Sequence, residues 1–394
     1  MVVEMKNKTL NSLLLMGVML SLLLEGILRM QAGWIAYFAL LTSLLLFANC
    51  VYRKQFHLTY FDLFMVAAFV LHWLLSPDKL TSLILMTATL LLYQSVLALR
   101  FSYRYIVYPI LVIFFMSVVL TLPAMVHSFT ATHSSRAGLY EGFFQNPNTN
   151  AAFMLSVIFI AYVFLRQRRL RWTVYVVAFV AILATGSRNA LLCIILACFF
   201  SFVGRTRFRR LAFPMFMGIL AMALAYLFFF EMNSNMSLSF MGKEANSAGR
   251  AEQIASVVLE YPLNLFGNGR EVIDLFSKDE NGYAVHNFYI SSLYSYGIVI
   301  LLGYMWFVFK IHRHLRSHKT KAVWLVFQFY FFFEPGVCFY FKFLNVFPLL
   351  LVLIMADGSR DCFRRVNLQR IVHVLKVLKI SPSLPSGASK PSNS

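Results

Sequence analysis

The chain has 394 residues, of which 60% are hydrophobic and only 13% are charged. A soluble domain cannot bury so much apolar surface, whereas a bundle of helices in lipid can expose it to acyl chains. A net charge of +19 would suggest a nucleic-acid partner for a soluble protein, but basic residues also collect on the cytoplasmic side of membrane proteins. The composition therefore indicates an integral membrane protein that binds no nucleic acid.

Apolar runs of membrane length follow one another from the N-terminus. Lys6 and Lys8 precede the first run, which lacks a small-residue cleavage site, so we expect a retained span and no signal peptide. The sequence predicts an all-α, polytopic membrane protein with about twelve transmembrane helices. The predicted spans are residues 10–28, 34–52, 58–75, 80–99, 105–126, 150–165, 172–185, 189–203, 211–230, 288–309, 323–340 and 343–356.

Lysine and arginine clusters fall between alternate spans, and the intervening turns, such as residues 77–79 and 186–188, contain few of them. The positive-inside rule then places both termini in the cytoplasm and the long polar loop, residues 231–286, outside. This alternation also accounts for most of the net charge. The clusters lie at residues 53–54, 100–104, 166–171, 205–210 and 310–321.

The predicted organisation is one transmembrane domain, residues 1–356, which includes the external loop. Residues 357–380 carry basic and apolar positions at helical spacing, which predicts an amphipathic helix on the anionic inner leaflet. Residues 381–394 are rich in serine and proline and are expected to be disordered. The cysteines show no metal-ligand spacing, so we interpret them as core residues.

An arginine occupies one of the turns where this topology places few basic residues. Arg188 lies in the run Thr-Gly-Ser-Arg-Asn, in which Gly186 allows a close reversal and Ser187 or Asn189 can cap the next helix. Its side chain either reaches to lipid headgroups or forms a bidentate clamp for a phosphate.

Two further arginines lie in the long loop. Arg250 opens a helix-like run that Pro262 closes, so the helix N-terminus and the guanidinium would both attract an anion. The alternative is a solvated charge. Arg270 follows a Gly-Asn-Gly turn and is a candidate for substrate binding, but this turn lacks the strand and the third glycine of a nucleotide-binding fingerprint.

His286 and Asn287 stand where the long loop ends and the next span begins. An imidazole with an ordinary pKa of about 6.5 is available as a neutral base and can take a proton from a hydroxyl group. The alternative is that the His-Asn pair only caps the helix. No spacing of His, Asp or Glu suggests a metal site.

A third polar turn precedes the sixth predicted span. Asn146, Asn148 and Asn150 surround Pro147 and can cap the following helix. One asparagine is enough for a cap, so the surplus amides are suited to bind sugar hydroxyls. Glu141 is an alternative acid or base in this turn.

Taken in order, these motifs resemble those of the O-antigen ligase and repeat-unit polymerase family. They are Phe-Gln-Asn-Pro-Asn (144–148), Thr-Gly-Ser-Arg (185–188), Ser-Ala-Gly-Arg (247–250), Gly-Asn-Gly (267–269) and His-Asn (286–287). The resemblance covers roughly residues 142–303. It implies a membrane fold of the glycosyltransferase-C type, no metal and no cofactor. It also implies action on undecaprenyl-diphosphate-linked glycans at the outer face of the bacterial cytoplasmic membrane.

The same resemblance implies roles for individual residues. Arg188 and Arg250 would bind the diphosphate of the donor and stabilise charge on the leaving group. His286 would act as the base, or as an orienting group, for the acceptor hydroxyl that attacks the anomeric carbon, with inversion there. Asn148 and Asn287 would position sugars or support the arginine and histidine side chains.

Two reactions of this family compete. A polymerase moves the growing glycan onto another lipid-linked repeat, and a ligase moves the finished glycan onto a lipid A core or a protein. The motifs do not separate them, although the Asn-Pro-Asn form and the modest loop favour a polymerase. The implied partners are a lipid-linked glycan donor and acceptor, membrane lipids, a chain-length regulator and a flippase.

Two other classes of protein are alternatives. A flippase or transporter would use ionisable residues within spans, such as Glu25, Asp62 and Glu334, but we find no paired broken-helix pattern. A lipid II polymerase would rely on an external aspartate, for which Asp274 or Asp279 is available.

Overall fold

The computed structural model describes residues 2–28, 33–76, 80–130, 139–144, 146–203, 239–240, 243–244, 257, 261–269, 287–315, 317–332, 338–339 and 343–355. This part of the chain is helical apart from turns and one short hairpin, in which β1 (Ser239–Phe240) pairs antiparallel with β2 (Lys243–Glu244). The helices are α1 (Val2–Leu28), α2 (Gly33–Tyr52), α3 (Tyr60–Leu75), α4 (Leu80–Ala98), α5 (Arg104–Leu120), α6 (Leu122–Thr130), α7 (Pro147–Phe164), α8 (Arg168–Thr185), α9 (Arg188–Val203), α10 (Phe288–His314), α11 (His318–Phe332) and α12 (Phe343–Met355).

Most of the described residues in the predicted spans lie on helices, and the protein is a helical, multi-pass membrane protein. By length and composition alone, four helices in the described ranges (within α1, and α4, α7 and α10) could cross a membrane, and one of them, α10, is broken at Gly297. The number becomes five if α5 and α6 form one bent span. A total of twelve spans remains a prediction. The predicted span at residues 211–230, the amphipathic helix at residues 357–380 and the tail lie outside the described residues.

Three helices lie in the interior of the bundle. Side chains at residues 150–157 and 159–161 of α7, at residues 322–332 of α11 and at residues 345–354 of α12 are buried on all faces. A helix that is apolar all round is one that other helices surround. These three helices therefore form the centre, and helices around them expose leucine and phenylalanine side chains where lipid is expected.

The helices alternate in direction, which collects the basic turns at one end of the bundle. The Tyr103 ring lies 4.7 Å from the Phe164 ring, and Lys319 Nζ donates to the Tyr162 carbonyl at 3.5 Å. These contacts join the α4–α5, α7–α8 and α10–α11 turns. This end, containing residues 100–104, 164–171 and 314–321, is the basic end. The opposite end, containing residues 139–150 and 184–190, is the turn end.

The predicted span at residues 105–126 is interrupted. The chain bends by 56° between α5 and α6, with Thr121 at the junction. Pro123 has no amide hydrogen and its ring clashes with the carbonyl four residues earlier, which ends a helix or kinks it. The Thr121 hydroxyl donates to the Ser117 carbonyl at 2.6 Å and so closes the last turn of α5.

The predicted span at residues 323–340 is not helical to its end. The described part of α11 ends at Phe332, and Cys338 and Phe339 form a buried turn. Pro335 follows the helix in the sequence, and helices usually end at or before the residue that precedes a proline. The Cys338 amide donates to Ser292 Oγ at 2.9 Å, so α10 satisfies the backbone of this turn.

The predicted span at residues 288–309 is not straight, because α10 is broken at Gly297, where φ is 86° and ψ is 172°. The rings of Phe288 and Tyr304 lie 5.3 Å apart, although a straight α-helix would separate these positions by about 24 Å. The first segment, residues 288–296, therefore folds back along the second, residues 298–314. We refer to residues 288–296 as the fold-back segment.

A loop supplies the hydrogen bonds that the break removes from α10. The amides of residues 268–269 donate to the carbonyls of residues 294–295 at 2.9 and 3.0 Å, and the amides of residues 298–299 donate to those of residues 264–265 at 3.3 and 3.1 Å. In lipid, a broken helix is tolerated only where protein or water satisfies its freed backbone groups. His72 on α3 fixes the same loop, because its ring bonds the Phe266 carbonyl and packs edge-on against Tyr296.

The close approach at the break predicts the effect of adding one methyl group. A Cβ atom on Gly297 would lie 2.3 Å from the Leu265 carbonyl oxygen, and its backbone conformation, which essentially only glycine adopts, costs an alanine about 1–3 kcal/mol. We expect Gly297→Ala to lower the unfolding temperature of the detergent-solubilised protein, measured by intrinsic fluorescence.

Gly17→Ala is the matched control. A Cβ atom on Gly17 would meet the Thr42 side chain at an ordinary 3.5 Å, and alanine favours a helix over glycine by about 1 kcal/mol. We expect this variant to unfold at the wild-type temperature or above it. An unchanged temperature for Gly297→Ala would contradict the proposed packing of the loop against α10.

Candidate active site

Asn146 begins the first polar turn as the N-cap of α7. Its Oδ1 accepts hydrogen bonds from the amides of Asn148 and Thr149 at 2.9 and 3.2 Å, and Pro147 takes the first helical position. Proline is favoured there because its missing amide hydrogen has no partner in a helix. The predicted cap is confirmed. A contact between Asn146 and a sugar stays a prediction.

The other two asparagines of this turn differ in exposure. Asn148 is half-buried, and its carbonyl accepts a hydrogen bond from the Tyr330 hydroxyl at 3.0 Å. Asn150 is fully buried against Gly142, where a Cβ atom would lie 2.6 Å from Asn150 Oδ1. Asn150 therefore belongs to the core, and the surplus of amides expected for sugar binding is reduced to Asn146 and Asn148.

Tyr140 joins this turn to the turn that carries the arginine. Its amide donates to the Ala184 carbonyl at 3.1 Å, and its hydroxyl shares a 2.7 Å hydrogen bond with Thr121 Oγ1. Burial raises the pKa of Tyr140, against a smaller lowering by the hydrogen bond to Thr121. The phenol therefore stays protonated at physiological pH and serves as a structural link that the sequence analysis did not identify.

Arg188 is the first residue of α9 and is half-buried. Gly186 ends α8 in the left-handed conformation, with φ at 62°, and Ser187 Oγ accepts from the Ala190 amide at 3.5 Å. Of the two residues predicted to cap this helix, Ser187 is therefore the one that caps α9. A guanidinium and a helix N-terminus are both positive, so an anion at this turn would be attracted by both.

Asn287 is the N-cap of α10. Its Oδ1 accepts a hydrogen bond from the Ile290 amide at 2.9 Å, and only 2% of the residue is exposed. The capping alternative for the His-Asn pair therefore applies to Asn287, whose amide nitrogen remains a donor. His286 precedes it by one peptide bond. His286, Arg250 and Arg270 themselves lie outside the described residues.

The last turns of α11 connect two of these motifs. Tyr330 holds the Asn148 carbonyl, and the neighbouring Phe331 ring stacks on the Phe288 ring with centroids 5.0 Å apart. Phe288 directly follows Asn287. The contacts of α11 and of Tyr140 thus bring the Asn-Pro-Asn turn, the Arg188 turn and Asn287 to the turn end of the bundle.

The Gly-Asn-Gly run lies against the break in α10 and not beside the other polar motifs. It pairs with the break in α10, and a Cβ atom on Gly267 would lie 2.3 Å from the Ser295 carbonyl oxygen. Its glycines are therefore required for the close approach of two backbones. Arg270 follows this run directly in the sequence.

Sequence reasoning missed the break at Gly297 and the contacts of α11. The sequence showed no paired broken-helix pattern, yet α10 is broken. The available signal was a glycine within an apolar run, which lowers the expectation of a regular helix. Gln328 and Tyr330 were polar positions within an apolar run and gave no motif. Over the described residues, no group of three His, Cys, Asp or Glu side chains is placed to hold a metal ion.

One family model matches the chain. It is described as O-antigen ligase, and it covers residues 173–305, from α8 to the second segment of α10. No curated protein and no solved structure matches the chain. The matched region contains Arg188, Arg250, Arg270 and the His-Asn pair, and it leaves out the Asn-Pro-Asn turn and α11. Residues 173–305 of this membrane protein are therefore similar to O-antigen ligases, which supports the resemblance that the ordered motifs predicted.

Proposed function

We propose that this protein is a membrane glycosyltransferase that polymerises undecaprenyl-diphosphate-linked oligosaccharide repeat units into a cell-surface polysaccharide. The family match supports glycan processing of the O-antigen ligase or polymerase type. The observation that carries the proposal is the convergence of the Asn-Pro-Asn turn, the Arg188 turn and Asn287 at one end of the bundle.

In this proposal the turn end faces outwards. The basic turns gather at the opposite end of the bundle, and clusters of lysine and arginine favour the cytoplasmic side of a membrane. A donor lipid in the outer leaflet would then have its diphosphate at the level of Arg188. The polymer would leave on the outer side of the bacterial cytoplasmic membrane.

Arg188, the N-terminus of α9 and Arg250 would bind the diphosphate. Arginine binds phosphate oxygens in pairs and keeps its charge, so it stabilises the negative charge that grows on the leaving group in the transition state. Asn146, Asn148 and Asn287 would place the sugars through their amide groups, and Arg270 is a further candidate for substrate binding. No metal and no cofactor are needed for this transfer.

His286 would act as the base. It takes the proton from the acceptor hydroxyl as that oxygen bonds to the anomeric carbon, and the bond from this carbon to the diphosphate oxygen breaks. Undecaprenyl diphosphate leaves with the bonding electrons, and His286 passes the proton to solvent. A single displacement of this kind inverts the anomeric centre. The proposed partners are a second lipid-linked repeat as acceptor, membrane lipids, a chain-length regulator and a flippase.

The diphosphate clamp predicts a graded response at Arg188. Loss of one group that stabilises transition-state charge typically costs about 10²–10³-fold in rate, and lysine replaces only the charge of arginine and not its bidentate geometry. We expect Arg188→Ala to reduce the polymerisation rate by about 10²-fold or more, and Arg188→Lys to retain an intermediate rate. Arg169→Ala, on an exposed arginine at the basic end, is the control and should keep the wild-type rate. Equal rates for all three variants would contradict the clamp.

The proposed role of His286 as the base predicts a loss of activity when its imidazole is removed. We expect His286→Ala to reduce the rate by about 10²–10⁴-fold, measured as polymer formed per minute by purified protein. The variant Asn287→Ser tests the cap separately. Serine has a hydroxyl that can cap α10, so we expect this variant to keep the fold. If His286→Ala makes polymer at the wild-type rate, the pair only caps the helix.

The choice between polymerase and ligase depends on the acceptor. We expect purified protein, supplied in detergent with lipid-linked repeats alone, to produce a ladder of glycan lengths on gels. Product that appears only after a second acceptor is added would favour the ligase. A protein that makes no product in detergent but moves lipid-linked glycan across vesicles would favour a flippase.

A further inference from the structure

A buried amide on α11 joins the two segments of the broken helix. Gln328 is 1% exposed, and its Oε1 accepts hydrogen bonds from the Tyr289 hydroxyl at 3.1 Å and from the Tyr304 hydroxyl at 3.2 Å. The Tyr289 hydroxyl also lies 3.1 Å from the Gln328 carbonyl oxygen. Tyr289 belongs to the fold-back segment and Tyr304 to the second segment of α10.

These bonds fix a geometry that apolar contacts leave undetermined. In a straight helix, Tyr289 and Tyr304 would lie about 22 Å apart, so one oxygen atom can bind both only when the segment is folded back. The stacking of Phe288 on Phe331 brings the segment to α11, but apolar attraction is not directional. Hydrogen bonds require defined distances and angles, and therefore set the rotation and height of the segment.

The bonded tyrosine lies close to the residues that the proposed chemistry needs. Tyr289 is two residues after Asn287 and three after His286. Two residues further along α11 from Gln328, Tyr330 holds the Asn148 carbonyl. One rigid, buried helix thus contacts both the fold-back segment and the first turn of α7.

We propose that Gln328 is a positioning residue for glycan transfer: through Tyr289 and Tyr304 it holds the fold-back segment, and with it Asn287, at a fixed place relative to the donor-binding turns. This inference rests on the proposed function. It assigns a role to a residue outside the matched region, residues 173–305. Gln328 acts through the tyrosines and need not touch the substrate.

The test compares two replacements of similar size. Gln328→Met removes the side-chain acceptor, whereas Gln328→Glu keeps oxygen atoms that can accept from both tyrosines. Gln94→Met is the matched control, because Gln94 is also a buried glutamine but lies on α4. Hydrogen exchange of the amides of residues 288–296 reports the position of the segment, and kcat and KM for the lipid-linked donor report catalysis.

We expect faster exchange of residues 288–296 in Gln328→Met and a kcat lower by about tenfold or more, because a displacement of about 1 Å in an active site can cost about 10²-fold. The KM for the donor should stay near the wild-type value. We expect Gln328→Glu to have an exchange rate and a kcat close to those of the wild type, and Gln94→Met to change neither quantity. If Gln328 had a purely structural role, Gln328→Met would lower the amount of folded protein, and the folded fraction would not show a lower kcat with an unchanged KM.

Several results would overturn the inference. They are wild-type exchange or wild-type kcat in Gln328→Met, or an equal loss of both in Gln328→Glu. If Gln328→Met does not fold, Tyr304→Phe removes one of the two hydroxyls and should give a smaller change in the same direction, and no change would count against the inference. A wild-type protein that makes no polymer would instead overturn the proposed function, while the exchange measurement would still decide whether Gln328 holds the segment.

Discussion

The arrangement of the site depends on the requirement that every backbone polar group in a lipid-embedded protein has a partner. The break at Gly297 frees amides and carbonyls in the middle of α10, and residues 264–269 satisfy them. Both Gly267 and Gly297 lie at positions where a Cβ atom would overlap the opposite backbone. Residues 264–269 of the long polar loop and α10 therefore form one unit.

The fold-back segment explains how a residue that follows a polar loop becomes buried. Asn287 is 2% exposed because the first segment of α10 turns inwards and packs against α11. Water is scarce in such a place, so charge–charge interactions there are stronger than at a surface. An arginine clamp and a base would act more effectively near this interior position than on a solvated loop.

The sequence analysis and the structure agree where the physical signal is local. Asn146 and Ser187 were predicted to cap helices, and each accepts a backbone hydrogen bond within a few residues. The predicted spans at residues 105–126, 288–309 and 323–340 are not regular helices throughout, because the first is bent, the second is broken at Gly297 and the third contains a turn at residues 338–339. Each contains a proline or a glycine, but membrane helices often tolerate these residues when neighbours supply hydrogen bonds, so composition alone could not decide.

The sequence by itself determined that this is a helical membrane protein, where most of its helices run, and which polar motifs follow one another in the order of the O-antigen ligase family. Hydropathy and capping depend on neighbouring residues and can be derived from the sequence alone. Only the tertiary structure decided that α10 folds back and that α11 links Asn148 to the fold-back segment. The Tyr330–Asn148 contact joins residues 182 positions apart, and such a pairing depends on how whole helices pack, which no local pattern encodes.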